Sequence, residues 1–417
     1  MSNPYIIKLL VLSSGERLPI LIHKESGLPL LGPLIYALTQ LRGRNLATNT
    51  IDQALRHIML FVLFLDKRQI DLAQRLNEGR VLSINEIEDL TNTCKLAVEN
   101  LITNKRSNIV EIQKNINIKK TRVYLNTQTI ANRIRTITDY LSWLLKSHLL
   151  KLSIHNVNYA SLEKITQLNI EVLKAHIPVT HKHNVIGVRE GLEPQIASRL
   201  LQVISVTSPE NPWLGQFIRV RNELIFNWLY SFGLRRGELL NIRIKDINFQ
   251  KEEVVIARRA DDLTDPRKEQ PVVKTRDRIL PIPSKIIKLT YDYIIYHRKK
   301  FERARKHDFL FIADKTGEPL SLSALNKCFT YLRSAIEDLP QDLSPHILRH
   351  TWNDNFSVAM DKNNIPESDE IKMRAFLMGW SEASGTASTY TKRHIRKKAN
   401  KISLNMQNSF FEKEPTT

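Results

Sequence analysis

The chain predicts a mainly α protein with a small antiparallel β-sheet, divided into two domains. Three observations carry that expectation. At 417 residues the chain is too long for one ordinary hydrophobic core. Apolar residues recur at helical spacing through most of its first half. In the second half, short runs rich in β-branched residues interrupt the helical pattern. Hydrophobic residues make up 42% of the chain, enough for real cores and too many for a largely disordered polypeptide. The expected order is a short β extension (1–30), a helical domain (31–178), a linker (179–192), a second domain with the small sheet (193–405) and a C-terminal tail (406–417).

Residues 5–12 and 18–23 read as two strands joined by the turn Ser13-Ser14-Gly15-Glu16. After Gly27-Leu28-Pro29 the pattern becomes helical. Thr50-Ile51-Asp52-Gln53 matches a capping box ahead of a face lined by Ile51, Leu55, Ile58, Val62 and Leu65. Ser83-Ile84-Asn85-Glu86 is a second box, ahead of Ile87, Leu90, Cys94, Val98 and Leu101. A third helix carries Ile130, Ile134, Ile137, Leu141, Leu144 and Leu145. Periodicity fades around His176–Leu192, where Pro178, Gly187 and Gly191 mark an exposed connector. Beyond it, a helix near Gly215–Phe232 breaks at Gly233, and a short helix follows over Arg236–Ile242. Strands are expected at Glu253–Arg258, Val272–Lys274, Arg278–Pro281 and Phe309–Ala313, and helices at Lys285–Arg305, Ser321–Ile336 and Pro345–Met360.

The formal net charge of +19 suggests a polyanionic partner, although a merely soluble basic protein would show the same excess. Cys94 and Cys328 stand far apart, with no spacing suited to zinc, so two buried free thiols are expected rather than a disulfide. His176, His181 and His183 have no Cys, Asp or Glu at ligand distance, and no metal site is expected there. The apolar runs near the N-terminus are broken by Ser13, Gly15, Glu16 and Arg17, which fits neither a signal peptide nor a membrane span. A cytoplasmic protein is expected.

Six residues form an ordered series with chemical potential: Arg235, Lys274, His346, Arg349, Trp380 and Tyr390. In Gly233-Leu234-Arg235-Arg236-Gly237-Glu238, the glycine permits a tight turn and Arg235 projects from the next helix start. A guanidinium donates to two phosphate oxygens and stays charged, and Glu238 one turn on can anchor it. An ordinary i, i+3 ion pair is the competing view, and Arg236 can take the same task. Val272 to Pro281 reads as a β-hairpin with Lys274 near its tip, placed to protonate a leaving oxygen or simply solvated. Ser344 caps a helix, Pro345 suits its first turn, and His346 and Arg349 share a face near the positive end of the dipole, with His350 bracing them. The Trp380 indole is a donor only. Tyr390 supplies a phenol of reference pKa near 10, about one in a thousand ionised at neutral pH, so it needs cationic neighbours to become a nucleophile. A buried tryptophan and an ordinary tyrosine are the plain alternatives. Lys392, Arg393, Arg396, Lys397, Lys398 and Lys401 then form a basic run, suited to phosphate or to a solvated face.

Together these motifs resemble those of the tyrosine recombinase (phage integrase) family over roughly 190–405, about half the chain. The first arginine box resembles Gly233 to Leu239, the hairpin lysine falls on Lys274, the His-x-x-Arg-His box on His346 to His350, the Leu-Gly-His box on Met378-Gly379-Trp380 and the nucleophile box on Tyr390. Trp380 stands where histidine is more frequent, and Gly237 is a minor variant. The resemblance implies a helical core-binding N-terminal domain, which binds DNA, followed by a DNA breaking-rejoining catalytic domain. It implies that Arg235, Arg349 and His346 hold a scissile phosphate, that Tyr390 attacks it to form a 3′-phosphotyrosine, and that Lys274 protonates the leaving 5′ oxygen. No cofactor, metal or ATP is implied. The implied partners are double-stranded DNA and three further copies of the chain, as a homo-tetramer on two paired sites, with no membrane involved. Length and the N-terminal extension favour a mobile element. Type IB topoisomerase-like chemistry and a silent DNA-binding protein are the alternatives. The tail carries Ile402, Leu404, Met406, Phe410 and Phe411, which either dock on a neighbouring protomer, as in the family, or fold back on their own core. Strands at 5–23 either bind accessory DNA or extend the fold.

Overall fold

The computed structural model describes residues 3–98, 124–152, 157–179, 190–273, 275–381 and 383–411, with side chains to 408. The chain divides into two compact units, Met1–Asn184 and Val185–Thr417.

The first unit opens with strands β1 (Tyr5–Val11) and β2 (Arg17–His23), paired antiparallel from Tyr5↔His23 to Val11↔Arg17. Helix α1 (Leu31–Tyr36) runs on as a wider turn over Ala37–Arg42. Helices α2 (Thr48–Arg68), α3 (Leu72–Asn77), α4 (Ile84–Cys94), α5 (Thr127–Leu149) and α6 (Tyr159–Ala175) complete it. The expected apolar faces form the core: Ile51, Leu55 and Ile58 of α2 are fully buried and meet Ile134, Ile137 and Leu141 of α5 in one cluster. Cys94 is buried in the same cluster.

Capping separates the two candidate boxes. At Ser83 the hydroxyl accepts from the Glu86 N–H and the Glu86 carboxylate accepts from the Ser83 N–H, as the sequence predicts. The Thr50 box does not form. Helix α2 begins three residues earlier than that box would place it, with Ala47 in the capping position and no side-chain cap, so Thr50 lies inside the first turn. Helix α4 ends at Cys94, short of Val98, and Leu101 lies outside the described residues.

The second unit starts with α7 (Pro194–Ile204) and α8 (Gln216–Phe232). Gly233 ends α8 with φ +58°, a left-handed position where a Cβ would also come 2.9 Å from the Trp352 ring. Helix α9 (Arg236–Leu240) follows, then a three-stranded antiparallel sheet in the order β3 (Ile247–Asn248), β4 (Glu253–Ile256), β5 (Arg278–Pro281). Its partners correct the expected hairpin. Strand β5 pairs with β4, through Val254↔Leu280, and residues 272–273 carry no strand. Residues 257–277 form a long connection instead, and Lys274 within it lies outside the described residues. The helix expected over Lys285–Arg305 is continuous only as α10 (Ser284–Asp292), then passes through wider and tighter turns to Lys306. Phe309 and Ile312 form isolated bridges rather than a strand. Helices α11 (Leu322–Ala335), capped by Ser321, and α12 (Pro345–Lys362), capped by Ser344, match expectation. Helices α13 (Glu367–Met378) and α14 (Thr386–Phe411) end the unit, and α14 runs unbroken across the expected tail boundary. No helix of the described residues is long and apolar enough to cross a membrane.

Ser83→Ala should lower stability by about 1 kcal/mol through loss of a formed cap, whereas Thr50→Ala should stay within about 0.5 kcal/mol. Urea melts of the two variants check this; equal losses would contradict the helix starts described.

Candidate active site

Glu238 lies at the centre of the candidate site, on the last buried turn of α9, with 1% of its surface exposed. Its Oε2 accepts from the Arg235 N–H at 2.9 Å and from Arg278 Nη2 at 3.1 Å. Its Oε1 accepts from Thr275 Oγ1 at 2.6 Å and from Arg235 Nη1 at 3.4 Å. Burial opposes ionisation of this carboxyl, but Arg278 and then Arg349 outweigh it and hold its pKa below the usual range. The anchoring of Arg235 expected from the sequence is therefore present, in a buried setting rather than as a surface pair. Arg235 is half-buried while Arg236 is exposed, and only Arg235 has this anchor.

Arg349 rises from α12 against the same carboxylate, 2% exposed, with Nη1 3.8 Å from Glu238 Oε2. Nη1 donates to the Gly233 carbonyl at 2.6 Å, while Nη2 is buried with no partner among the described residues. The turn at Gly233 thus aims Arg349 as well as starting the segment of Arg235. Burial, then the like charge of Arg235, push the Arg349 pKa down to about 9, which leaves it a cation at neutral pH.

Trp380 follows Gly379, whose φ of +64° turns the chain out of α13. A side chain at 379 would collide with the Arg276 carbonyl at 2.8 Å, because Arg276 N–H donates to the Gly379 carbonyl at 2.9 Å. The Trp380 ring lies 5.1 Å from the Arg349 guanidinium and stacks on Tyr390 at 5.6 Å and 10°. Its Nε1–H is buried without a partner among the described residues. Tyr390 sits on the first turns of α14, 7% exposed, in a small cluster with Trp380, Met378, Ala375 and Ala387. Its ring is 5.4 Å from His350, whose ring is 4.3 Å from the exposed His346. His350 therefore bridges His346 to the phenol, close to the bracing place expected for it.

Five of the six residues in the series are thus joined by direct contacts or by one intervening side chain; Lys274 lies outside the described residues. Three participants were not singled out from the sequence. Arg393 lies 4.9 Å from the Tyr390 ring, pairs with Asp354 and donates to His350 Nδ1 at 3.3 Å, which puts the proton of a neutral His350 on Nε2. Its i+3 spacing from Tyr390 was the available signal. Arg374 lies 5.7 Å from the same ring, held by Glu370, Ser357 and Asn353. Arg278 had no local signal beyond its register in β5. Burial raises the Tyr390 pKa, and Arg349, Arg393 and Arg235 pull it back.

The basic run differs from a free cationic face. Arg393 pairs with Asp354, Arg396 and Lys397 with Glu190, and Lys398 with Asp361, so four of its six members are engaged with carboxylates of their own unit. Among the described side chains of the tail, Ile402, Leu404 and Met406 are 66%, 55% and 54% exposed, and those of Phe410 and Phe411 lie outside the described residues.

Such a cluster, with cationic and N–H donors converging beside a phenol, can bind a phosphate and present an oxygen nucleophile to it. Comparison with known proteins agrees in kind. Residues 193–396 match the model of the phage integrase family. Transposase A from transposon Tn554 of Staphylococcus aureus is 23% identical over 348 residues, 80% of this chain and 81% of that protein. Tyrosine recombinase XerA of Thermococcus onnurineus is 27% identical over 190 residues, 44% of this chain and 56% of its own length. The solved structure of the Tn1549 transposon integrase, in complex with transposon right end DNA, aligns over 90% of this chain and 100% of that chain, with TM-score 0.50 at 16% identity, a likeness of fold. Residues 193–396 are thus a phage integrase family domain, and the relatives it resembles include tyrosine recombinases.

Proposed function

We propose that this protein is a site-specific DNA recombinase of a mobile element, acting in the cytoplasm, that cuts and rejoins strands through a 3′-phosphotyrosine. The observation that carries the reading is the pair of buried donors, Arg349 Nη2 and Trp380 Nε1, that have no partner among the described residues and lie beside the Tyr390 ring. Buried donors without partners are costly to keep unless a ligand completes them. A phosphodiester oxygen is the acceptor that suits both an indole and a guanidinium.

Arg235 and Arg349 bind the non-bridging oxygens, and the Trp380 N–H adds a third donor. His346, exposed on the first turn of α12, joins them near the positive end of the helix dipole. Charge grows on these oxygens as phosphorus becomes five-coordinate, so prepositioned cations favour that state over the ground state. The Tyr390 oxygen forms a bond to phosphorus as the bond to the 5′ oxygen breaks, and the phenolic proton leaves by the His346–His350 side. In the family-derived assignment Lys274 supplies the proton taken up by the 5′ oxygen. The new ester conserves the energy of the old one, so attack by a partner strand's 5′ hydroxyl reverses the sequence without ATP. Residues 31–178 take the role of the core DNA-binding domain, and four copies on two paired sites exchange strands. The exposed Ile402, Leu404 and Met406 suit docking of α14 on a neighbouring copy.

Nicked duplexes tiled over the DNA that flanks the gene are the substrates for the test. Wild-type protein should form an adduct that survives denaturation, and Tyr390→Phe should form none while still binding; an adduct with the phenylalanine variant would refute the assignment. Arg349→Ala should cut the rate of adduct formation by about 10³-fold or more, and Trp380→Phe, which keeps the stacking and removes the N–H, by about 10²-fold. Single-turnover cleavage within about threefold of wild type in both would count against the phosphate site. Exchange between two captured sites, rather than relaxation of a one-site plasmid, separates recombination from topoisomerase action. Deletion after Lys401 should weaken assembly on DNA by light scattering without lowering the melting temperature of the monomer; unchanged assembly would end the docking reading.

A further inference from the structure

Arg278 contributes a buried guanidinium that is not disposed to touch a substrate. Its side chain is 1% exposed and its hydrogen bonds among the described residues are internal: Nε to the Leu377 carbonyl at 2.7 Å, Nη1 to Thr275 Oγ1 at 3.3 Å and Nη2 to Glu238 Oε2 at 3.1 Å. An ionised carboxylate offers about four lone-pair sites. Glu238 has four donors within 3.5 Å, namely the Arg235 N–H, Arg235 Nη1, Thr275 Oγ1 and Arg278 Nη2, so it is filled. Arg349 stands just outside that set, 3.8 Å away, and retains an unpartnered Nη2 among the described residues.

We propose that Arg278 is a positioning residue that saturates Glu238 and thereby keeps the Arg349 guanidinium available for a phosphate. The physical reason is the strength of the alternative. A two-pronged guanidinium–carboxylate pair is among the strongest polar contacts, and in a buried setting it would hold Arg349 against Glu238. With Arg278 on Oε2 that second prong has no acceptor. Three guanidinium groups against one carboxylate also leave an excess of two positive charges in a buried place, a balance that an arriving phosphodiester improves. Through its bond to the Leu377 carbonyl, the same side chain ties β5 to the turn that carries Trp380. The inference rests on the phosphate-binding reading of Arg349 given above.

The test uses full-length protein and the nicked duplex that wild-type protein captures. Arg278→Met should lower single-turnover capture by about 10²-fold, with duplex affinity within about threefold, because a donor pair is withdrawn from the transition state rather than from general binding. Adding Glu238→Gln to Arg278→Met should restore capture at least about tenfold, since no carboxylate then remains to draw Arg349 away. A merely structural Arg278 predicts the opposite: the double variant no better than Arg278→Met, a result that overturns the proposal. Arg278→Lys keeps the cation but loses two of the three bonds; capture within about tenfold of wild type supports saturation of Glu238 by a cation, and a deeper loss relative to wild type overturns it. This comparison decides the matter even if the methionine variant melts below assay temperature. Absence of capture by wild-type protein would sink the recombinase reading itself, whereas wild-type capture without rescue sinks only the role of Arg278.

Discussion

A carboxylate with almost no exposed surface, Glu238, is the constraint on which the rest of the second unit depends. An uncompensated charge in that position would cost several kcal/mol, so the fold must bring cations and donors to it. They come from four separate parts of the chain: the turn after α8, the connection before β5, β5 itself and α12. Satisfying one buried acid thus forces together elements that are more than a hundred residues apart in sequence. That assembly also sets Arg235 and Arg349 against the same carboxylate.

The phenol is governed by a different balance. Tyr390 is buried in an apolar cluster with Trp380 stacked on it, which disfavours the phenolate, while Arg349, Arg393 and Arg235 favour it. Burial wins, and the resting hydroxyl stays protonated at neutral pH. A phenol held in this way keeps its proton until the surrounding charges change. Near the ring, Arg374 with Glu370, Ser357 and Asn353 forms a second buried polar cluster that fastens α13 to α12. The helix that carries Tyr390 is then stitched to the unit by Asp354, Asp361 and Glu190. Its surface lysines and arginines serve attachment here as much as they add positive charge.

Much of this was legible in the chain wherever the controlling physics is local. Helical periodicity marked α2, α4, α5, α11 and α12, because an amphipathic stripe is written in one segment. The Ser83 and Ser344 caps were legible for the same reason. The Thr50 box failed because a capping pattern shows that a helix can start, not that it must, and Ala47 starts it earlier. The strand at Val272 failed because pairing is decided by a distant partner, and β5 finds β4 across a long connection.

For the site, the order of Arg235, His346, Arg349, Trp380 and Tyr390, the glycine that turns the chain at 233 and the cap before His346 were set by sequence alone, since each is a matter of residue type and near neighbours. Tertiary structure alone decided that Arg278 and Thr275 would share Glu238, that Arg393 and Arg374 would flank the phenol, and that the basic helix would be paired rather than free. Those outcomes depend on which buried charges meet in space, and buried electrostatics is a property of the packed unit that no single segment contains.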